Sequence, residues 1–315
     1  MIDKNAPIAV FSYNRPAHVR RLFTSLERCI EVDFNRIHIF CDGAKSNTDQ
    51  EQVNANRKVV NDWAKRVGAH VIEHENNLGL ANSIVSGVEY FCDRYGQVIV
   101  LEDDLVVAPD FVQFMDRGLA KYAHEQNVFQ ISGYNFPLAS KQPSEIFFLP
   151  LTTSWGWATW KRAWKYYSLE IGGILDSPEK LHDLDLQGAY PFSRILKFTL
   201  EGKAESWGIF WRLSVFRANG LVLYPPRSLV WQGGFDGSGV HCGNQGGQRI
   251  KNAPLSYRFP RLPQRVLWPE VISGSPIAME QIREHLRNHD KNLHWASGKE
   301  SLLKSALIIL NRSFH

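Results

Sequence analysis

Three consecutive acidic residues, Glu102, Asp103 and Asp104, follow an apolar run at residues 98–101. The run is typical of a buried strand in a parallel sheet. Adjacent carboxylates repel one another, and burial at such a site disfavours their charged forms unless a cation lies beside them. Hard divalent cations prefer carboxylate oxygens as ligands. The alternative is a solvated acidic turn. The position at the carboxyl end of a buried strand favours a ligand site, because open α/β sheets bind ligands there.

A second polar turn, Asn14 and Arg15, follows the apolar run at residues 7–13. Pro16 suits the first turn of a helix, where its missing N–H is not needed. The free N–H groups of a helix start and the guanidinium of Arg15 together would hold a phosphate. The alternative is that Arg15 pairs with a nearby carboxylate.

Two further turns carry polar side chains directly after predicted strands: Asp42 follows residues 36–41, and Asn76 and Asn77 follow residues 69–74. Between residues 6 and 133 strands alternate with helices of about a dozen residues, which is typical of βαβ units with helices on both faces of a parallel sheet. Such turns converge on the carboxyl edge. An arginine and acidic side chains on one rim suit a metal-chelated diphosphate.

Two nucleotide-binding signatures are absent from this pattern. No GxGxxG follows the first strand, and no Walker-type lysine loop occurs. Their absence argues against a nicotinamide dehydrogenase and against a P-loop ATPase.

The second half of the chain offers fewer chemical groups. Four tryptophans are predicted to pack against the sheet, with a sugar-stacking wall as the alternative: Trp155, Trp157, Trp160 and Trp164. A helix is predicted to begin near Ser206, which places Glu205 at its entrance as a candidate base or as a helix-dipole partner. His241, in a glycine-rich segment, would contact a metal or phosphate on closure, or would do neither.

Bulk composition limits the functional classes. The 315 residues carry a net charge of +4, which is too small and too dispersed to predict nucleic-acid binding. It is compatible with an anionic substrate or membrane face. The four cysteines form no CxxC pair, and we expect no signal peptide and no membrane span. A cytoplasmic protein is predicted, and the short apolar tail at residues 302–310 would dock on the body or on the inner face of the membrane.

The motifs together resemble a known family, the GT-A glycosyltransferases, and specifically bacterial relatives of N-acetylglucosaminyltransferase I. The resemblance covers roughly residues 6–242. It rests on the order of the motifs along the chain: Asn14-Arg15-Pro16, Asp42-Gly43, Asn76-Asn77-Leu78-Gly79, Glu102-Asp103-Asp104 and the Trp-Gly-Trp-Ala-Thr-Trp run.

The resemblance implies roles for residues of the donor site. Asp104 looks like the ligand of Mn²⁺ (or Mg²⁺) bridging the nucleotide diphosphate, and Asp103 like a ribose contact. Arg15 looks like the phosphate contact and Asp42 like the uracil contact. Asn77 falls where the family has a residue near the nucleotide.

The catalytic base is implied less directly. The family carries it in a Trp-Asp-Asp-Trp segment, which here is Glu-Ser-Trp-Gly-Ile-Phe-Trp. Glu205 is the carboxylate in this segment that could take the proton from an acceptor hydroxyl.

The resemblance implies a fold and an activity. The fold is a Rossmann-like, mainly parallel sheet flanked by helices, with a nucleotide-sugar half at 1–133, an acceptor-side half at 134–257 and a C-terminal extension at 258–315. The activity is metal-dependent, inverting transfer from a nucleotide sugar, most simply a UDP-sugar, to a glycan or lipid-linked acceptor in cell-surface polysaccharide synthesis. The alternatives are a sugar nucleotidyltransferase and a non-catalytic sugar-binding protein.

Overall fold

The computed structural model describes residues 5–137, 145–234, 259, 261–263 and 266–291. His241 and the apolar tail at residues 302–310 lie outside these ranges.

The first part of the chain alternates strands and helices as predicted. Its elements are β1 (Ile8–Ser12), α1 (Pro16–Leu26), β2 (Ile37–Cys41), α2 (Gln50–Val67), β3 (His70–Glu73), α3 (Leu80–Tyr95) and β4 (Gln97–Glu102).

The rest of the chain mixes shorter strands with helices. Its elements are β5 (Leu105–Val107), α4 (Phe111–Lys121), β6 (Val128–Ser132), β7 (Phe147–Leu149), β8 (Trp157–Trp160), α5 (Lys161–Trp164), α6 (Pro178–Leu184), α7 (Phe192–Leu200), α8 (Trp207–Arg217), β9 (Leu221–Tyr224), β10 (Val230–Gln232) and α9 (Pro276–Lys291).

One eight-stranded sheet runs through both parts in the order β3-β2-β1-β4-β8-β6-β9-β7. Strands β3, β2, β1 and β4 pair in parallel, and β6 and β9 also pair in parallel. Strand β8 is antiparallel to both β4 and β6, and β7 is antiparallel to β9. Apolar cores lie on both faces, with α1, α2 and α4 on one and α3 and α8 on the other. The predicted α/β fold with a mainly parallel, helix-flanked sheet is confirmed.

Strand β8 was not predicted, although it lies in the middle of this sheet. Its sequence is Trp-Ala-Thr-Trp, and Trp157 pairs with Val100 on one side and with Ser132 on the other. The four tryptophans around it are buried, so their predicted role in the core is confirmed. The rings of Trp157 and Trp207 stack with centroids 5.2 Å apart, which joins this strand to α8.

A buried ion pair fixes α4 to the start of β2. Arg36 donates to both carboxylate oxygens of Asp116, over 2.8 and 2.6 Å, and to the carbonyl oxygen of Ala6 over 2.9 Å. Burial removes water as an alternative partner for the guanidinium. The pair therefore fixes where α4 packs on the sheet.

We expect Asp116→Ala to lower the free energy of unfolding by about 2–4 kcal/mol, because it leaves the buried Arg36 charge without a carboxylate. Urea unfolding followed by circular dichroism measures the change. The control is Asp62→Ala, which breaks the exposed Lys58–Asp62 pair and should cost less than about 0.5 kcal/mol. Equal losses in the two variants would contradict the assignment of Arg36 and Asp116 as a buried stabilising pair.

Over the described residues, no helix combines the length and the apolarity needed to cross a membrane.

Candidate active site

The four predicted polar turns lie on the carboxyl edge of β1–β4, as expected for parallel strands. The turn after β3 is bound to the turn after β2 through Asp42. The Asp42 carboxylate accepts hydrogen bonds from the backbone N–H groups of Gly43, Leu78 and Gly79, over 2.8–3.0 Å, and from Nδ2 of Asn77 over 3.0 Å. These four bonds fill the usual acceptor capacity of a carboxylate. Asp42 and Asn77 thus brace the edge, and their contacts to a nucleotide remain a prediction.

Arg15 lies between the two aspartates of the acidic triplet. Its Nη2 donates to Oδ1 of Asp103, and its Nη1 forms an ion pair with Oδ2 of Asp104 at 2.9 Å. The backbone N–H of Tyr13 also donates to Asp103 Oδ2, over 3.3 Å. The predicted phosphate contact and the predicted metal ligand are therefore side by side.

Charge in this cluster is incompletely balanced. Burial, together with the carboxylates of Asp104 and Asp103, raises the pKa of Glu102 to about 8 against the opposing effect of Arg15. Burial also raises the pKa of Asp103 against the effect of Arg15. Burial lowers the pKa of Arg15, but Asp103 and Asp104 outweigh it, so the pKa of Arg15 is raised. A further cation beside the triplet would be stabilised by the same carboxylates.

Asp104 has the free ligand atom that such a cation requires. Its Oδ1 is buried and accepts no hydrogen bond from the described residues. No group of three or more His, Cys, Asp or Glu side chains in the described part of the chain is arranged to hold a metal ion. The donor set therefore fits a metal bound through one carboxylate and completed by substrate phosphates, as is common for Mg²⁺. His241, the other predicted ligand, lies outside the described residues.

A second small sheet holds Asp104 in place. Directly after the triplet, β5 pairs antiparallel with β10, and the N–H of Gly233 donates to the carbonyl oxygen of Asp104 over 2.7 Å. His18 Nε2 lies 3.3 Å from the carbonyl oxygen of Gly233. A Cβ atom at Gly234 would lie 2.5 Å from Oδ2 of Asp104. A side chain at position 234 would therefore have to displace the Asp104 carboxylate.

We expect Gly234→Ala to weaken Mn²⁺ binding about 10- to 100-fold in the presence of UDP, because the added methyl group must displace the Asp104 carboxylate. Calorimetric titration of the metal measures the loss. Gly208→Ala is the matched control, since a Cβ atom there meets nothing within 4 Å. Unchanged metal affinity in Gly234→Ala would show that Mn²⁺ binding does not depend on the position of the Asp104 carboxylate.

Glu205 reaches the same edge from the other half of the chain. Helix α8 begins after Ser206, whose hydroxyl accepts from the N–H of Ile209, so the predicted helix start is confirmed. A Cβ atom at Gly79 would lie 3.2 Å from Oε1 of Glu205. Glu205 is exposed, and the described residues offer it no hydrogen bond or ion pair. Its carboxylate is available to a ligand.

Tyr13 belongs to this edge but was not predicted as a site residue. Its hydroxyl donates to Asp49 over 3.1 Å and accepts from the N–H of Lys45 over 3.0 Å, which holds the ring at the end of β1. An aromatic ring beside Arg15 offers a face on which a base could stack. The signal in the sequence was its position one residue before the Asn14–Arg15 turn.

Three solved structures illustrate what the chain is similar to. The mannosyltransferase PcManGT from Pyrobaculum calidifontis, in complex with GDP-Man and Mn²⁺, is 11% identical with a TM-score of 0.39, over 70% of this chain and 76% of that one. GalNAc-T7 with UDP, GalNAc and Mn²⁺ is 11% identical with a TM-score of 0.45, over 72% and 44%. S. aureus TarS 1–349 is 10% identical with a TM-score of 0.41, over 73% and 61%.

The family model described as "Glycosyl transferase family 2" matches residues 8–171. This span is just over half of the 315 residues and runs from β1 through α5. It contains Arg15, Asp42, Asp103 and Asp104, the residues that meet at the carboxyl edge. The chain therefore belongs to glycosyl transferase family 2.

Proposed function

We propose that this glycosyltransferase is metal-dependent and inverting, and that it moves a sugar from a UDP-sugar to a hydroxyl group of a cell-surface glycan or lipid-linked acceptor. The observation that carries the proposal is the pairing of Arg15 with Asp104, whose second carboxylate oxygen is buried without a partner. A guanidinium that can bind phosphate, next to a carboxylate oxygen that can bind a metal ion, suits a nucleoside diphosphate with its metal. The finer relationship to N-acetylglucosaminyltransferase I is part of this proposal.

The donor side is assigned first. Asp104 would hold Mn²⁺ or Mg²⁺, with His241 as a second proposed ligand, and Asp103 would contact the ribose. The metal, when bound, supplies positive charge that stabilises a departing diphosphate. Arg15 would contribute to the same stabilisation by donating hydrogen bonds to phosphate oxygens.

The acceptor side rests on Glu205. Its exposed carboxylate would accept the proton of the acceptor hydroxyl as that oxygen attacks the anomeric carbon from the face opposite the diphosphate. A single displacement inverts the configuration at that carbon. The exposure of Glu205 and its lack of partners favour this role over that of a structural helix partner.

Titration of UDP with and without Mn²⁺ into the full chain tests the proposal. We expect UDP to bind in a metal-dependent way and more tightly than CDP, GDP or ADP. Indifference to all four nucleotides with Mn²⁺ or Mg²⁺ present would overturn it. A preference for a nucleoside triphosphate, with release of pyrophosphate in the presence of a sugar phosphate, would instead identify a nucleotidyltransferase.

Cellular placement is also a proposal. The chain would act in the cytoplasm, with peripheral contact to the inner face of the membrane where a lipid-linked acceptor is presented. Polysaccharide synthesis is the process that such an acceptor implies.

A further inference from the structure

Arg227 lies in the turn that follows β9, and the described residues offer its side chain no partner. Its Nε is buried without a hydrogen bond, and no carboxylate or carbonyl group of the described residues pairs with its guanidinium. An arginine side chain keeps its charge at all accessible pH values. A buried N–H of a charged group destabilises the protein unless a ligand accepts a hydrogen bond from it.

A second unpaired polar atom lies on the adjoining turn after β6. Nδ2 of Asn135 donates to the carbonyl oxygen of Pro225 over 2.7 Å, which fixes the turn after β6 to the turn after β9. Oδ1 of the same side chain is buried and has no partner within the described part of the chain. The two turns thus present an unsatisfied donor in Arg227 and an unsatisfied acceptor in Asn135.

The surroundings of Asn135 are apolar. The rings of its two sequence neighbours, Tyr134 and Phe136, lie 5.1 Å apart, and Tyr134 meets Trp155 edge to face at 4.7 Å. All three aromatic side chains are buried. Charged hydrogen bonds are stronger in such an environment than in water.

These turns lie on the same edge of the sheet as the acidic triplet. Strands β6 and β9 run in the same direction as β4, since β8 is antiparallel to both of its neighbours. The N–H of Leu229 donates to the carbonyl oxygen of Gly133 over 2.7 Å, and the chain then runs along β10 to Gly233, which contacts Asp104. Six residues of chain span at most about 20 Å. Arg227 is therefore within reach of an acceptor sugar chain whose hydroxyl group reacts near Asp104.

We propose that Asn135 and Arg227 form an acceptor subsite for a negatively charged sugar. The guanidinium would bind a carboxylate or phosphate group of the acceptor, and Asn135 Oδ1 would accept a hydrogen bond from a neighbouring hydroxyl. The inference rests on the proposed function and adds the class of acceptor. It does not concern the donor diphosphate, for which Arg15 is the proposed cation.

Ligand-observed NMR on the full chain, with UDP and Mn²⁺ added, tests the subsite with three probes: glucose, glucuronic acid and glucose 6-phosphate. We expect wild type to bind one or both anionic sugars more tightly than glucose, and the stronger of the two identifies carboxylate or phosphate. Arg227→Gln should weaken anionic-sugar binding at least about tenfold. Arg227→Lys keeps the positive charge but loses the planar guanidinium, so it should retain part of the affinity that Arg227→Gln loses.

Arg94→Gln is the control, because Arg94 is an exposed arginine in the last turn of α3, at the opposite edge of the sheet. It should leave anionic-sugar binding unchanged. No preference of wild type for the anionic sugars, or equal binding by wild type and Arg227→Gln, would overturn the subsite. Loss of UDP affinity in Arg227→Gln would also overturn it, by assigning Arg227 to the donor. Arg227-dependent binding of anionic sugars by a protein that ignores UDP would support the subsite and contradict only the UDP-sugar proposal.

Discussion

Asp104→Ala should remove the metal-dependent part of UDP binding, with a loss of at least about 100-fold. Asp104 offers the one triplet oxygen that is both buried and without a partner among the described residues, so the substitution deletes the proposed metal ligand. Changes to residues that merely orient such ligands cost about 10- to 100-fold in metal affinity. Calorimetric titration of UDP, with Mn²⁺ and with excess chelator, measures the effect.

The variant should remain folded, because Asp103 still pairs with Arg15 after the change. Its melting temperature, compared with that of wild type, checks this point. Asp93→Ala is the matched control, since Asp93 is an exposed aspartate paired with Lys161 over 2.9 Å. Wild-type metal dependence in Asp104→Ala would remove Asp104 from the metal site.

Glu205→Gln should lower the turnover number about 10²- to 10⁴-fold, the usual contribution of a positioned general base. Glutamine keeps the size of the side chain and loses its ability to take a proton. UDP affinity should stay within about twofold of wild type, because the proposed role is in proton transfer and not in donor binding. Release of UDP from the donor in the presence of acceptor measures turnover.

Glu201→Gln separates this effect from a general change of surface charge. Glu201 lies four residues before Glu205, is exposed, and pairs with Lys203 over 2.5 Å. We expect its turnover to be normal. Normal turnover in Glu205→Gln would exclude Glu205 as the base and would leave the inverting mechanism without its proposed proton acceptor.

Much of the fold of residues 8–102 follows from local sequence pattern. Apolar runs punctuated by Asn14, Asp42, Asn77 and Glu102 are sufficient to place four parallel strands and to bring the turns after them to one edge, because each strand is followed by a helix of ordinary length. The helix entrance at Ser206 is equally local, since a serine before an apolar helix is a common cap.

The missing parts depend on contacts between distant residues. Strand β8 is short and rich in tryptophan, and its extended backbone depends on pairing with β4 on one side and β6 on the other. The contact of Gly233 with Asp104 and the four bonds to Asp42 likewise join segments with no periodic relation in the sequence.

The pairing of β5 with β10 also has a consequence for biosynthesis. Asp104 is translated early, but β10, the strand that supports it, lies more than 120 residues later. This strand is also well beyond residues 8–171, which the family model matches. Domains form from the N-terminus as the ribosome releases the chain. The first part of the sheet can therefore begin to fold during translation, whereas the contacts that hold Asp104, the proposed metal ligand, form only after residue 234 has left the exit tunnel. Incomplete nascent chains would contain the complete acidic triplet and still lack the strand that holds Asp104 in place.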